Sequence, residues 1–363
     1  MATKSATWAY RDRFHESFAR AYFRRFADCL VSSVGVGTYL GDATDTADER
    51  YHDAIVEALE NGINVVDTAV NYRHQRSERT VGRAIDDADV DREAVMLSTK
   101  GGFVPFDGER PADASAYIES EFLDTGLIDR DDLVMGNCLS PDFLGWSLDR
   151  SLANLDVETV DLYYVHNPEA QLARFDHETV YDKLEDAFTR LEERAAAGDI
   201  RHYGVATWEA FRVPEDHEKY LSLSEVVARA QAASDRAGTN ATHFRALQLP
   251  FNVHMADGFT LDVHEGAEER QSVLRVAHEA GLDVFTSASI LQGDLAEPGG
   301  IPEAVDAKLS GDTPAQRAIN FARSAPGVTC SLVGTGTPEH VSENIAAGTF
   351  EPMGADAFDA VFE

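Results

Sequence analysis

Four residues in the first half of the chain carry side chains that together could move a proton and polarise an oxygen: Asp67, Tyr72, Lys100 and His166. Three of them close apolar runs, N-V-V-D-T-A at 64–69, A-V-M-L-S-T-K at 94–100 and T-V-D-L-Y-Y-V-H at 159–166, and Tyr72 follows on the connection after the first run. A phenol is a weak acid at neutral pH, but a neighbouring ammonium stabilises the phenolate and lowers its pKa toward the working range. Lys100 can supply that charge if a carboxylate holds it, which is a role for Asp67. His166 can donate a hydrogen bond to a substrate oxygen. The set has no metal-ligand spacing and no obvious nucleophile. It suits carbonyl reduction, in which the hydride must come from a cofactor because no side chain can provide one. Each residue also has a plain structural reading: Asp67 as a turn cap, Lys100 as a solvated strand end, His166 as a satisfied core histidine, Tyr72 as a rim residue, with Ser77 as the cap of the next helix. A third chemistry, a hydrolase or lyase with Lys100 as a Schiff base, uses the same lysine. Whether the four side chains share one place separates these readings.

The elements that must position them alternate along the chain. Candidate strands fall at 31–37, 64–69, 94–100, 159–166, 200–206, 245–251, 282–288 and 328–334, with helical stretches between them that stop at glycines such as Gly62 and Gly198. Eight strands each followed by a helix predict a (β/α)8 TIM barrel over 1–363 as one domain, with a doubly wound open sheet as the alternative. In such a barrel the carboxyl ends of the strands form one mouth, and Asp67, Lys100 and His166 end consecutive strands. Two stretches do not fit the repeat. Residues 1–30, rich in aromatics and Arg, are expected to cap the barrel bottom or pack beside it. Residues 101–144 are too long and aromatic for a simple connection and read as an inserted, ordered lid-like loop.

The composition narrows the partners. Hydrophobic residues at 44% are too many for a disordered acidic chain, so the net charge of -33 belongs on the surface of a folded body. Only five of the 31 basic residues are Lys (Lys4, Lys100, Lys183, Lys219 and Lys308). An acidic, Lys-poor surface suits a salt-filled cytoplasm, where screening relieves self-repulsion, so a halophilic protein is expected, against the plainer reading of an ordinary acidic enzyme. Nucleic acid is not expected as a partner, because phosphate binding needs a basic face. No run of about eighteen apolar residues predicts a membrane span, and M-A-T-K-S-A-T-W lacks the apolar core of a signal peptide. Cys29, Cys138 and Cys330 are scattered without metal spacing, which fits a reducing, cytoplasmic location.

An ordered series of fragments resembles the aldo/keto reductase family over nearly the whole chain: G-V-G-T-Y at 35–39, D-T-A-V-N-Y at 67–72, S-T-K at 98–100, D-L-Y-Y-V-H-N-P at 161–168, I-R-H-Y-G-V at 200–205, Q-L-P-F-N at 248–252 and P-E-H-V-S-E-N at 338–344. The resemblance implies Tyr72 as general acid/base with Asp67, Lys100 and His166 completing a tetrad, a small-molecule carbonyl or alcohol substrate, and NADP(H) or NAD(H) lying extended across the barrel mouth. It implies Gly37, Thr38 and Asp67 near the nicotinamide ribose, Gln248 at the carboxamide, and Gly334, Thr335, Gly336, Glu343 and Asn344 toward the adenosine. Several positions depart from the family. Ala206-Thr207 stand for Ser-Asn, leaving the Thr207 hydroxyl to remake one carboxamide bond, and Ser287 falls where a tyrosine stacks on the nicotinamide. Gly334, Gly336 and His340 stand where Lys or Arg hold the 2′-phosphate of NADP. A dianion without cations loses its strongest interactions, so a relaxed preference that tolerates NAD is expected unless another Arg reaches in from a loop. The loop after Lys100 is longer than the family's by roughly thirty residues. With a short C-terminal tail, that loop is expected to bring Phe103, Phe106 or Phe143 to an apolar substrate site, near Tyr39. A nicotinamide-binding regulatory or redox-sensing protein with weak turnover is the second reading, favoured by the departures at 206, 207 and 287.

Overall fold

The computed structural model describes residues 1–362. Eight parallel strands close into a barrel: β1 Val34–Gly37, β2 Val65–Asp67, β3 Met96–Gly101, β4 Val160–His166, β5 Ile200–Ala206, β6 Phe244–Pro250, β7 Asp283–Ser287 and β8 Val328–Gly334. The main helix after each strand runs back along the outside: α1 Asp45–Glu60, α2 Arg76–Asp87, α3 Pro141–Leu155, α4 His177–Ala197, α5 Leu223–Ala237, α6 Val273–Glu279, α7 Pro314–Ser324 and α8 Pro338–Ala347. The TIM-barrel expectation holds, and the open sheet is ruled out by pairing of β8 with β1 and of β7 with β6.

Strand periodicity explains which residues point inward. Along β2, β3 and β4 the alternate residues Val65, Met96, Leu162 and Tyr164 pack with Ala206, Ala246, Phe285, Cys330 and Leu332 in the barrel interior. The intervening Val66, Leu97, Tyr163 and Val165 pack outward under the helices. With a period of two, the same parity carries Asp67, Ser98, Lys100 and His166 to the inside at the carboxyl ends. Register then levels them, since Gly37 lies beside Asp67, Asp67 beside Ser98, His166 beside Ala206 and Ala206 beside Gln248. The interior leaves little slack at Gly35. A Cβ there would stand 2.9 Å from Leu332 and 3.0 Å from Cys330 and Val65, and overpacking of this kind costs about 1–3 kcal/mol.

The expected strand at 31–37 is two strands. Cys29–Ser32 pairs antiparallel with Phe23–Phe26, and only Val34–Gly37 enters the barrel. Ser33 makes the corner: its N–H donates to Tyr22 O, its carbonyl accepts from Ser331, and its hydroxyl accepts from Arg323. The hairpin places Phe26 edge-on to Phe285 at 5.5 Å, in the interior cluster at the end opposite the mouth. A helix over Lys4–Phe14 precedes it, and Ala2 N–H donates to Asp161 near the start of β4. The segment after β3 carries a short helix at Ala114–Ile118 and a π-helical turn at Glu119–Leu123. It has its own apolar core of Phe122, Ile128, Cys138 and Phe143, with Tyr117 and Trp146 packed against it.

Candidate active site

At the carboxyl ends of β2 and β3, Lys100 Nζ donates to Asp67 Oδ2 at 2.5 Å and to the Thr68 carbonyl at 2.8 Å. The other carboxylate oxygen accepts from Ser98 Oγ at 2.7 Å and from Gln248 Nε2 at 2.9 Å. Both charges are buried, Lys100 fully and Asp67 at 4% exposure. Burial lowers the Lys100 pKa, and Asp67 pulls it back up. A buried pair of this kind holds only while both partners are present, because removing one leaves an uncompensated charge. The ammonium is therefore a fixed local charge under the mouth, with Nζ committed to Asp67 and Thr68. Fully buried with Nζ so committed, Lys100 offers a carbonyl no accessible amine, which speaks against the Schiff-base reading.

Tyr72 follows on a turn that begins at the end of β2. The next three residues are all left-handed, with φ of 44° at Arg73, 58° at His74 and 70° at Gln75. Such residues cost about 1–3 kcal/mol each and persist only where surroundings over-determine them. Here Arg73 is ion-paired with Asp48 and lies over the Tyr51 ring at 4.5 Å, while Gln75 donates to the Phe106 carbonyl and accepts from Asn154. The turn brings the half-buried Tyr72 ring to 5.0 Å from Lys100 Nζ, 5.9 Å from the His166 ring and 5.1 Å from Tyr39. Ser77 caps nothing. Its hydroxyl donates to Thr38 Oγ1 at 2.8 Å and accepts from Thr68 Oγ1 at 3.0 Å, tying the turn to the end of β1.

The titration of these groups differs from expectation at Tyr72. Burial raises its pKa well above the ordinary phenol value, and Asp67 and Tyr39 push the same way. All three effects favour the neutral form, so the phenol stays protonated at neutral pH. Burial, aided by Lys100, lowers the His166 pKa to about 3. The imidazole is thus neutral at neutral pH. Its Nδ1 is buried without a partner among the described residues, and Phe103 stands edge-on to the ring at 5.1 Å.

Tyr72 and His166 open onto a cavity of about 680 Å³, whose wall runs through Gly37, Thr38, Thr207, Gln248 and Ser287 to Gly334, Gly336 and His340. Three glycines on that wall bear on what it can hold. A Cβ at Gly37, Gly334 or Gly336 would meet nothing in the protein closer than 3.7 Å. Protein packing therefore does not require glycine there, and the missing side chains leave the backbone open to a ligand. The residues present fit an extended nicotinamide cofactor.

Other expected residues lie elsewhere. Thr335 and Asn344 are buried against each other, with Asn344 Nδ2 donating to Thr335 Oγ1 at 2.8 Å, and Glu343 accepts from Thr313 at the start of α7. None of the three lines the cavity, because their polar groups knit α8 to β8 and α7. Tyr39 lines it at 60% exposure. Phe103 adjoins it through His166, whereas Phe106 faces His74 and Tyr117. Phe143 is fully buried in the core of the inserted segment, so it lines no substrate site. Long loops with several aromatics bury some to hold themselves together, and sequence alone did not say which.

Three participants were not singled out from sequence. Ser98 sits inside the quoted S-T-K, and strand parity with Lys100 was the available signal. Trp208, 41% exposed, lines the cavity after β5. It is held by Glu169, whose Oε1 accepts from the N–H groups of Trp208 and Glu209 at 2.7 and 3.0 Å. Arg50, on α1, also lines the wall. Nothing in its helical pattern marks it. Among the described residues no cluster of three or more His, Cys, Asp or Glu is arranged to hold a metal, and no helix is long and apolar enough to cross a membrane.

Comparison with known proteins bears on the family and the fold. The sequence model of the aldo/keto reductase family matches residues 33–232. A putative voltage-gated potassium channel subunit beta of Schizosaccharomyces pombe is 24% identical over 88% of this chain and 85% of its own length. An NADH-specific methylglyoxal reductase of Escherichia coli is 28% identical over 59% of each. Among solved structures, the holo form of an aldo-keto reductase from Bacillus halodurans superposes with a TM-score of 0.63 at 19% identity, covering 94% of this chain and 95% of that one. An aldo/keto reductase from Klebsiella pneumoniae in complex with NADP and acetate gives 0.59 at 18% identity, covering 94% of each.

Proposed function

The chain belongs to the aldo/keto reductase family of nicotinamide-dependent oxidoreductases, and from that premise we propose that it reduces the carbonyl of a small aldehyde, ketone or sugar with Tyr72 as the proton donor. The observation that carries the reading is the meeting of a protonated Tyr72 phenol and a neutral His166 on one cavity wall, above the buried Lys100–Asp67 pair. A nicotinamide held in the cavity by the wall of Gly37, Thr38, Thr207 and Gln248 would supply the hydride. His166 donates a hydrogen bond to the carbonyl oxygen and polarises it. Tyr72 then gives its proton to that oxygen as charge builds there, and Lys100 stabilises the phenolate left behind. Asp67, held by Ser98 and Gln248, keeps the ammonium charged and in place. In the oxidative direction the same groups run in reverse, with the phenolate as base.

The test is turnover of a generic aldehyde by wild type and Tyr72→Phe. Cofactor binding should survive in the variant and reduction should not; equal rates in both proteins would sink the acid assignment. A cofactor-binding regulator with weak turnover is favoured by Ser287 and Ala206 on the cavity wall, which withhold a stacking ring and a hydroxyl. Stopped-flow oxidation of bound cofactor by the aldehyde separates the two readings, since a regulator would react far more slowly than its cofactor binds. The acidic, Lys-poor surface extends the proposal to a salt-rich cytoplasm. Full activity retained after long dialysis to low salt would count against that setting.

A further inference from the structure

We propose that Arg50 is the residue by which this chain distinguishes NADP(H) from NAD(H). The cavity continues from Tyr72, Gln248 and Ser287 to the loop of Gly334, Gly336 and Thr337, so a dinucleotide with its nicotinamide at Tyr72 extends its adenosine toward that loop. Arg50 stands there on α1, beside Tyr51, whose ring would be 3.7 Å from a Cβ at Gly336. Among the described residues Arg50 is the single Lys or Arg on the cavity wall.

Its charge is also uncompensated. Among the described residues Arg50 makes no ion pair, and its one hydrogen bond is a 3.4 Å contact from Nε to the Thr46 carbonyl of its own helix. The acids around it on α1 are already engaged: Asp45 with Arg76, Asp48 with Arg73 and Arg76, Glu49 with Arg83, and Asp53 with His52. In a chain with 64 acidic residues against 31 basic ones, an exposed guanidinium left free on a ligand cavity needs a reason. Asp42 on the same wall has the opposite sign, so the wall as a whole does not attract anions. Selectivity must come from direct contact.

The two cofactors differ by one 2′-phosphate on the adenosine ribose. An Arg fork can bind that dianion through two parallel N–H···O bonds, which a neutral 2′-hydroxyl cannot repay. The cation thus comes from α1 rather than from the Gly334, Gly336 and His340 positions that lack it. This restores the NADP preference that the loop alone would relax.

The inference rests on the cavity being the cofactor site, and binding tests it apart from turnover. Fluorescence titration of wild type, Arg50→Gln and Arg50→Lys with NADPH and NADH would be joined by calorimetry with 2′,5′-ADP and 5′-ADP. Wild type is expected to prefer NADPH. Arg50→Gln should weaken NADPH and 2′,5′-ADP by about 10- to 100-fold, leave NADH and 5′-ADP within about twofold, and be partly restored in Arg50→Lys. An unchanged NADPH affinity, or equal losses for NADH and NADPH, overturns the assignment. Tight, phosphate-dependent binding without any carbonyl reduction would sustain Arg50 and defeat the proposed reaction instead.

Discussion

The two ends of the cavity are built on opposite principles. Around Tyr72 the central charges are buried and paired: Asp67 receives Lys100, Ser98 and Gln248, and two of the three left-handed residues, Arg73 and Gln75, are pinned by Asp48, Tyr51 and Asn154. Around Gly336 the wall is open, made of glycines, a capping threonine and exposed Arg50 and His340. The first end is over-determined, so a single substitution disturbs several groups together. The second end depends on few contacts, so one side chain can change what binds without changing the fold. On the proposed reading, chemistry sits in the rigid half and ligand choice in the adjustable half.

The strongest attempt to break this contrast is Lys100→Met. It leaves Asp67 buried without its ammonium, and stability should fall by about 3–5 kcal/mol with a turnover loss of about 10²- to 10⁴-fold; urea denaturation and steady-state rates measure both. A loss of less than about 1 kcal/mol would mean that the cluster is not coupled. Ser98→Ala removes one charge-assisted donor and should cost about 1.5–3 kcal/mol, read in the same denaturation series.

Acid should weaken the whole barrel in a defined direction. His166 and His202 have folded pKa values lowered to about 3 and about 4, chiefly by burial. The unfolded chain, with histidines near 6.5, binds more protons below that pH, so stability falls as pH drops from about 6.5 toward 4. Thermal melts across that range give the slope. Reduction itself should be nearly flat from about pH 6 to 9, because His166 is already neutral and Tyr72 still protonated across it. An acidic limb near pH 6.5 that disappears in His166→Gln would show that the imidazole titrates normally. The smallest stability effect belongs to the open end. Gly336→Ala should alter stability by less than about 0.5 kcal/mol while weakening NADPH binding, and cofactor affinity that stays unchanged would show that no ligand approaches that backbone.

Much of the first half was legible because it obeys periodicity. Once β2, β3 and β4 were placed, alternation alone put Asp67, Lys100 and His166 on one side, and the barrel rule put that side at one mouth. The misreadings share a different origin. Ser33 turns a continuous apolar run into two strands through contacts with Tyr22, Ser331 and Arg323, two of them about three hundred residues away, which no local pattern encodes. Phe143 and Phe103 are the same residue type in one segment, yet tertiary packing sends one to the core and leaves the other against His166. The Tyr72 pKa is raised first by burial and then by Asp67 and Tyr39, which tertiary packing decides rather than residue types. Arg50 was hidden by the same logic, since an exposed arginine on an amphipathic helix reads as ordinary until its neighbours are seen to be taken.

The hairpin beneath the barrel bears on how the protein is made. Arg24 donates to the carbonyls of Arg323 and Val328, and Tyr22 packs on Gly348, so the earliest aromatics find their partners in the last stretch of chain. At ribosomal rates, the 304 residues separating Arg24 from Val328 take about 15 to 60 s to emerge. Through that interval an aromatic-rich leading end waits without its seat. The same surplus of carboxylates that marks the finished surface favours solubility of the unfinished chain during that wait.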